Sequence, residues 1–486
     1  MRWEQLVPEA VAEGAGWLPV EAVAADSRAV RPGTLFFALQ GTTADGHDYI
    51  GEAIAAGAVG VVAERAVDLP PEAPLAVHPG ARRLLGEAAA RLADHPSRDL
   101  PVVGVTGTNG KTTLAWLLAA LFDDGAVIGT LGWGRPDALH PSGETTPDAV
   151  TLQERLGYLR TEGVTGVAME ASSHALDQER LAGTTLTGAV WTNLTPEHLD
   201  YHGDLGAYRA AKRRLLERPG LSFAVINAED PASGDFAAAV APGVPLWRYG
   251  LEVGGVRMEQ AECGPEGIRL RAATPRGEVA VRSALVGRVN LSNLLAAVAA
   301  GLALGLEPAE VGRRLSVAPP VPGRMENLGT TPRGARIWVD YAHTADALER
   351  TLEGARELTE GSLWCVFGCG GERDTEKRPA MGAVAARLCQ EVVLTSDNPR
   401  GEDPEGIIAA IRAGMGESEP VAIPDRGAAI EHALEAAGAG DAVVIAGKGH
   451  EREQELAGHR IPFSDREAVR HWLASFREAA GHDESG

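Results

Sequence analysis

A chain of 486 residues is long for a single core and suggests about three domains. Its 67 acidic against 45 basic residues give a net charge of −22, which excludes nonspecific binding to nucleic acid or anionic membrane but leaves room for a local basic cleft. The hydrophobic share of 44% is that of a globular chain. The four cysteines (Cys263, Cys365, Cys369, Cys389) match neither a zinc spacing nor a disulfide scaffold.

The start, Met1 to Gln5, lacks the apolar run of a signal peptide, and no stretch approaches a membrane span, so a reducing cytoplasm is the expected location. Residues 1–97 read as a first unit. Asp26-Ser27-Arg28 precedes a strand-like run at 34–39, a polar loop spans Thr42 to Asp48, and another strand falls at 59–62. Residues 81–93 read as a helix and 95–99 as a linker.

The second unit, 98–322, opens on the segment that organises the chain. Residues 101–106 are a β-branched strand, Gly107-Thr108-Asn109-Gly110 a tight glycine loop, and Lys111-Thr112-Thr113 the start of a helix expected to reach about Phe122. Backbone N–H groups in such a loop turn onto phosphate oxygens, and the helix N-terminus adds partial positive charge. Lys111 can reach β/γ-phosphates and the Thr112 hydroxyl can ligate Mg²⁺. The usual first glycine of a P-loop is Val105 here, so the Gly-Lys-Thr end carries the assignment against a bare strand–helix turn.

Further on, Glu144-Thr145-Thr146-Pro147 leads into a helix, and the apolar strand 166–170 ends in Glu170, a position that serves Mg²⁺ in P-loop folds. Ser172, Ser173 and His174 follow at that strand end, where open α/β sheets bind ligands. After a strand at 189–192, two histidines and two carboxylates crowd into 197–202, without a known zinc order. Tyr208 and Lys212 share a helix face, and Lys212 reads as a surface lysine or a phosphate contact. Three alternating runs at 256–285 suggest antiparallel strands. An apolar helix at 290–304 and a Pro-rich linker at 319–323 close the unit.

From 323 to 486 strands and helices alternate in a doubly wound, Rossmann-like pattern. Polar loops follow its strands at 340–343, 368–374, 397–400 and 447–451, so all are expected at one sheet edge. The last, Gly447-Lys448-Gly449-His450-Glu451, resembles a second P-loop without the Mg²⁺-binding hydroxyl and reads as an anion- or substrate-binding loop.

Taken in order, these segments resemble the Mur ligase family, in the MurE type that adds the third residue of the peptidoglycan stem peptide. Its marks here are Asp-Ser-Arg at 26–28, Gly-Thr-Asn-Gly-Lys-Thr-Thr at 107–113, Thr-Thr-Pro at 145–147, Met-Glu-Ala-Ser-Ser-His at 169–174 and His-Leu-Asp-Tyr-His at 198–202. Pro-Gly-Arg-Met-Glu at 322–326, Asp-Tyr-Ala-His at 340–343, Asp-Asn-Pro-Arg at 397–400 and Gly-Lys-Gly-His-Glu at 447–451 complete the set. The resemblance implies three α/β domains: a small N-terminal domain (1–97) for a UDP-sugar, a central P-loop ATPase domain (98–322), and a C-terminal amino-acid-binding domain (323–486). It implies ATP-dependent amide-bond formation through an acyl phosphate in peptidoglycan synthesis, with ATP, UDP-N-acetylmuramoyl-L-alanyl-D-glutamate and meso-diaminopimelate as substrates. A monomer without nucleic-acid partner is expected.

The same resemblance makes Lys212 a carbamylated lysine, formed with CO₂. With Thr112, Glu170 and His198 it would hold a pair of Mg²⁺ ions, the oxygen-rich set suiting a hard cation. ATP would lie on residues 107–113 and meet Asn293, Arg324 and Asp340. The UDP-muramyl dipeptide would meet Ala25, Ser27, Thr42, Thr43, Ala44, Thr145, Thr146, Ser172, Gln178 and Arg180. Diaminopimelate would meet Arg373, Asp397, Asn398, Pro399, Arg400, Gly447 and Glu451. A lysine-adding ligase or a folylpolyglutamate synthetase-like enzyme are the rival readings. Arg400 favours diaminopimelate, because a guanidinium pairs with the extra carboxylate that lysine lacks.

Overall fold

The computed structural model of the chain describes residues 1–42, 44–67, 73–372 and 374–483. The expected contacts Thr43 and Arg373 lie outside the described residues. By contact density the chain divides into two compact units. One comprises residues 1–257, 273–277 and 293–314, and the other residues 258–272, 278–292 and 315–486.

The N-terminal sheet has four parallel strands, Ala22–Ala24, Thr34–Ala38, Gly60–Ala63 and Leu75–Val77, in chain order. Parallel strands need cover on both faces, and the alternation of side chains supplies it. Leu35, Phe37 and Val62 pack with Leu84, Leu85 and Ala88 of the helix Ala81–Leu92. Phe36, Ala38 and Val61 pack with Ile50 and Ala53 on the other side. Residues 95–99, expected as a linker, instead form an ordered turn. Pro96–Arg98 is a 3₁₀ helix with Pro96 at its start, where no N–H is needed, and the Ser97 hydroxyl accepts from the Thr185 amide at 2.9 Å.

The second sheet has eleven strands, beginning, in spatial order, at residues 277, 267, 256, 246, 223, 188, 102, 166, 125, 132 and 138. The strands from 246 to 125 in that order are parallel neighbours. The strand Val102–Thr106 lies inside the sheet and is fully buried, as its unbroken apolar run requires. Strands Val256–Gly264, Gly267–Thr274 and Gly277–Ser283 are joined by connections too short for anything but antiparallel neighbours, as the alternation predicts.

The C-terminal sheet has six strands. Glu326–Thr330 runs antiparallel to Arg336–Asp340, and the other pairings are parallel. It is covered on both faces. Trp338, Cys365, Phe367 and Val444 face helices Ala345–Glu357 and Lys377–Leu388, while Ile337, Val366, Val443 and Ile445 face Arg426–Ala436 and Val469. The parallel strands share one direction, so the polar loops after residues 340, 367, 394 and 446 fall at one edge, as expected. Among the described residues no helix is long and apolar enough to cross a membrane.

Candidate active site

The glycine loop is built by close packing. Gly110 caps the helix Lys111–Ala119 with φ 86°, and a Cβ there would lie 2.5 Å from Asn293 Oδ1. A Cβ on Gly107 (φ 149°) would overlap Thr192 Oγ1 at 1.9 Å. Side chains of the neighbouring strand end fasten the loop. The Asn109 amide donates to Asn193 Oδ1 at 2.9 Å, Thr192 Oγ1 donates to the Asn109 carbonyl at 2.7 Å, and Thr108 Oγ1 donates to the Thr195 carbonyl at 3.0 Å. Lys111 folds back on its own loop, donating to the carbonyls of Gly107 and Thr108 at 2.9 and 2.8 Å. Thr113 is buried one residue beyond Thr112.

Glu170 is 2% exposed at the end of its strand. Its Oε2 accepts from Thr112 Oγ1 at 3.0 Å and from Thr130 Oγ1 at 3.3 Å, and its Oε1 from the Thr130 amide at 2.8 Å. Thr145 Oγ1 meets Thr130 Oγ1 at 3.1 Å. Thr146 Oγ1 donates to the Glu170 carbonyl at 2.7 Å and receives the Ser172 amide at 3.1 Å.

Lys212 is 1% exposed, and its Nζ donates to the Gly107 carbonyl at 2.7 Å and lies 4.4 Å from the Tyr208 ring centroid. Burial, with the nearby charge of Lys111, holds its pKa well below the lysine range. It is not a surface lysine. Burial also lowers His198, against the pull of Glu197. The His198 ring packs edge-on to His174 at 4.8 Å, and His174 lies 4.2 Å from Tyr201.

These groups fit a magnesium centre only with help. Among the described residues no three His, Cys, Asp or Glu side chains converge as a metal site, and Glu170 is held by hydrogen bonds from Thr112 and Thr130. A buried carboxylate without a cation is costly. A carboxylated Lys212 would add an anionic oxygen donor to this set.

A cavity of about 770 Å³ lies within the first unit. Ala25, Ser27, Thr42, Ala44 and Gln178 line it, while Thr145, Thr146, Ser172 and Arg180 are not among its lining residues. Arg180 connects the two groups. It donates to Gln178 Oε1 at 2.9 and 3.1 Å and to the Thr146 carbonyl at 2.8 Å, and it pairs with the Glu144 carboxylate. Sequence reasoning missed Tyr49, Glu52, Arg82 and Asp177 on the cavity wall, which carry no motif.

In the second unit Asp340 is buried and burial raises its pKa. Its carboxylate accepts from the amides of Met325 and Ala342 at 2.7 and 2.8 Å. Arg324 stacks 4.7 Å from the Tyr341 ring. The loop 397–400 meets 447–451 directly. A Cβ on Gly447 (φ 111°) would lie 2.6 Å from Asp397 Oδ2, and Asn398 Nδ2 donates to Glu451 Oε2 at 2.9 Å. Burial raises Asp397, which also feels Arg426 and Lys448. Arg400, in the left-handed region (φ 55°) after Pro399, donates to the Gly371 carbonyl at 2.6 Å and pairs through Nε with Glu455 at 3.3 Å.

Family models match three consecutive segments: the Mur ligase family catalytic domain at residues 19–100, the Mur ligase middle domain at 105–301, and the glutamate ligase domain of Mur ligases at 323–449. The UDP-N-acetylmuramoyl-L-alanyl-D-glutamate--2,6-diaminopimelate ligase of Alkalilimnicola ehrlichii is 47% identical over 93% of this chain and 94% of its own length. The chain belongs to the Mur ligase family.

The ligase of the same description from Pseudomonas aeruginosa is 44% identical over 98% of this Mur ligase and 99% of its own length. A solved structure described in the same words superposes with TM-score 0.73 at 35% identity, covering 98% of this chain and 99% of that one. Folylpolyglutamate synthase of Mycobacterium tuberculosis shares the fold at TM-score 0.61 and 18% identity, covering 74% of this Mur ligase and 91% of that chain.

Proposed function

We infer that this chain is an ATP-dependent ligase of peptidoglycan synthesis that adds meso-2,6-diaminopimelate to the D-glutamate γ-carboxylate of UDP-N-acetylmuramoyl-L-alanyl-D-glutamate. The observation that carries the reading is its 47% identity over 93% of its length to a ligase so described. The presence of Arg400 and Glu451 on adjoining loops supports it, since the far end of diaminopimelate bears one carboxylate and one ammonium.

The chemistry has two steps. A γ-carboxylate oxygen attacks the ATP γ-phosphorus and ADP leaves, giving an acyl phosphate. The amine nitrogen of diaminopimelate then attacks the acyl carbon, phosphate leaves, and the nitrogen gives up its proton as the amide forms. The protein's task is charge neutralisation and alignment. The loop 107–113 offers amide donors and Lys111 to the phosphates; Lys111 must leave its own loop carbonyls to do so. Thr112, Glu170, His198 and a carbamylated Lys212 would hold Mg²⁺, whose positive charge neutralises the phosphates when it is bound. The lowered pKa of Lys212 favours the neutral amine, the form that reacts with CO₂. Asn293, Arg324 and Asp340 are assigned to the adenosine end. The cavity beside Ala25, Ser27 and Gln178 is assigned to the UDP-sugar, and Thr145, Thr146, Ser172 and Arg180 to its peptide. The division into domains 1–97, 98–322 and 323–486, a cytoplasmic location and a monomeric state belong to the same reading.

The test is phosphate release with ATP, Mg²⁺ and the UDP-muramyl dipeptide, supplying diaminopimelate or L-lysine in separate reactions. Turnover with diaminopimelate alone is expected. Turnover with lysine alone would overturn the specificity, and turnover with neither would overturn the reaction.

A further inference from the structure

Lys448 has no part in the chemistry above, yet its side chain is fully buried. Each donor of its ammonium is used: Nζ donates to Glu451 Oε2 at 2.7 Å, to Asn398 Oδ1 at 3.1 Å and to the Glu453 carbonyl at 2.8 Å. Both flanks are closed. A Cβ on Gly447 would meet Asp397 at 2.6 Å, and one on Gly449 (φ 56°) would meet Tyr341 at 2.8 Å, so Lys448 is the one side chain the turn 447–449 sends inward.

A buried ion pair is a poor stabiliser, because desolvation offsets most of the attraction, so its retention asks for another reason. The partners supply one. Asn398 Nδ2 also donates to Glu451 Oε2, and Asn398 Oδ1 also accepts the Glu455 amide at 3.0 Å. Oε2 of Glu451 is thus fixed by two donors, while Oε1 has no hydrogen bond among the described residues and the side chain is 31% exposed. Burial alone would raise the Glu451 pKa; the Lys448 charge and hydrogen bond, with Asn398, bring it below the usual range.

We propose that Lys448 is a positioning residue for amino-acid selection: it locks one oxygen of Glu451 and the amide of Asn398, so that Oε1 stays a fixed, ionised acceptor for the distal ammonium of the incoming diamino acid. The proposal rests on the functional reading above. It separates the loop 447–451 from phosphate binding, because the Lys448 ammonium is spent on protein acceptors.

The test compares wild type, Lys448→Met, Glu451→Gln and the double variant in the phosphate-release assay, varying each substrate in turn. Lys448→Met is expected to raise the KM for diaminopimelate about thirtyfold or more, as truncation of a buried charge pair does. The KM values for ATP and the UDP-muramyl dipeptide are expected to stay within about threefold, and the double variant to fall well short of the product of the single effects. A merely structural lysine would move all three KM values together or lower the melting temperature alone. Either result overturns the proposal, as does a diaminopimelate KM within threefold of wild type or full multiplicativity with Glu451→Gln. If Lys448→Met does not fold, Lys448→Gln, with an amide donor in similar volume, carries the same comparison. A wild type that does not turn over diaminopimelate overturns the functional reading instead, and the positioning role with it.

Discussion

Replacing Arg400 by methionine keeps the apolar stem and removes the guanidinium. The backbone at 400 is left-handed (φ 55°) and Met bears a Cβ as Arg does, so no new backbone strain enters. The ion pair with Glu455 joins side chains 19% and 34% exposed, and its loss is worth at most about 1 kcal/mol of stability. The bond proposed from Arg400 to the substrate carboxylate is a different matter. A hydrogen bond to a charged group contributes about 1.5–3 kcal/mol, which is roughly a 10- to 150-fold rise in the KM for diaminopimelate. Uncovering Glu455 adds repulsion toward that carboxylate but none toward the single terminal ammonium of L-lysine. The ratio of kcat/KM values for diaminopimelate over lysine should therefore fall by at least the change in KM. The assay is phosphate release at saturating ATP and UDP-muramyl dipeptide, with a melting curve to confirm folding. A variant whose ATP KM rises as much as its diaminopimelate KM, or whose selectivity is unmoved, would refute the reasoning.

Three other perturbations test other parts of the site. Lys212→Ala is expected to lose about 10²–10³ in kcat, the scale seen when one preorganised charge-stabilising group is removed, and acetate should restore part of it; unchanged activity would sink the carbamate assignment. Glu144→Gln frees Arg180 from an ion pair whose carboxylate is half exposed, so the KM for the UDP-muramyl dipeptide should fall by up to about fivefold, and a rise would show that Glu144 assists binding. Burial, with His198 and His202 nearby, lowers His174 to about 4 from about 6.5, the ordinary histidine value. The unfolded chain then binds the extra proton between those values, so stability should fall as pH drops through that window, and His174→Asn should flatten the slope of urea midpoints; an unaltered slope refutes the assignment.

Much of this was legible before any coordinates. The strand Gly166–Glu170 coincides with the sequence reading, because buried parallel strands are short apolar runs with sharp polar ends. The Thr112–Glu170 contact follows from a glycine loop and an acid at adjacent strand ends. What stayed hidden lacked a pattern of its own. The hairpin Glu453–Leu456 with His459–Pro462 has almost no apolar alternation, and its place is set by bonds to 397–400, such as Gln454 Nε2 to the Asp397 carbonyl at 2.7 Å. Helix Arg426–Ala436 was missed for a related reason: what anchors it is the fully buried pair of Arg426 with Asp465, residues 39 positions apart. From its residues alone Lys212 reads as a surface lysine or a phosphate contact, because burial of a lysine is decided by the chain around it, not by its neighbours in sequence.

The glycines of the two loops have a genetic consequence. At Gly107, Gly110 and Gly447 the atom that a Cβ would strike first is a polar side-chain atom: Thr192 Oγ1, Asn293 Oδ1 and Asp397 Oδ2, all within 2.6 Å, and all three glycines have positive φ. Every amino acid reachable from a glycine codon by one base change carries a Cβ. A missense step at these positions therefore both strains a positive-φ backbone and displaces a side-chain oxygen. Each would press a carbon against a side-chain oxygen that the loop packing leaves no room to pass.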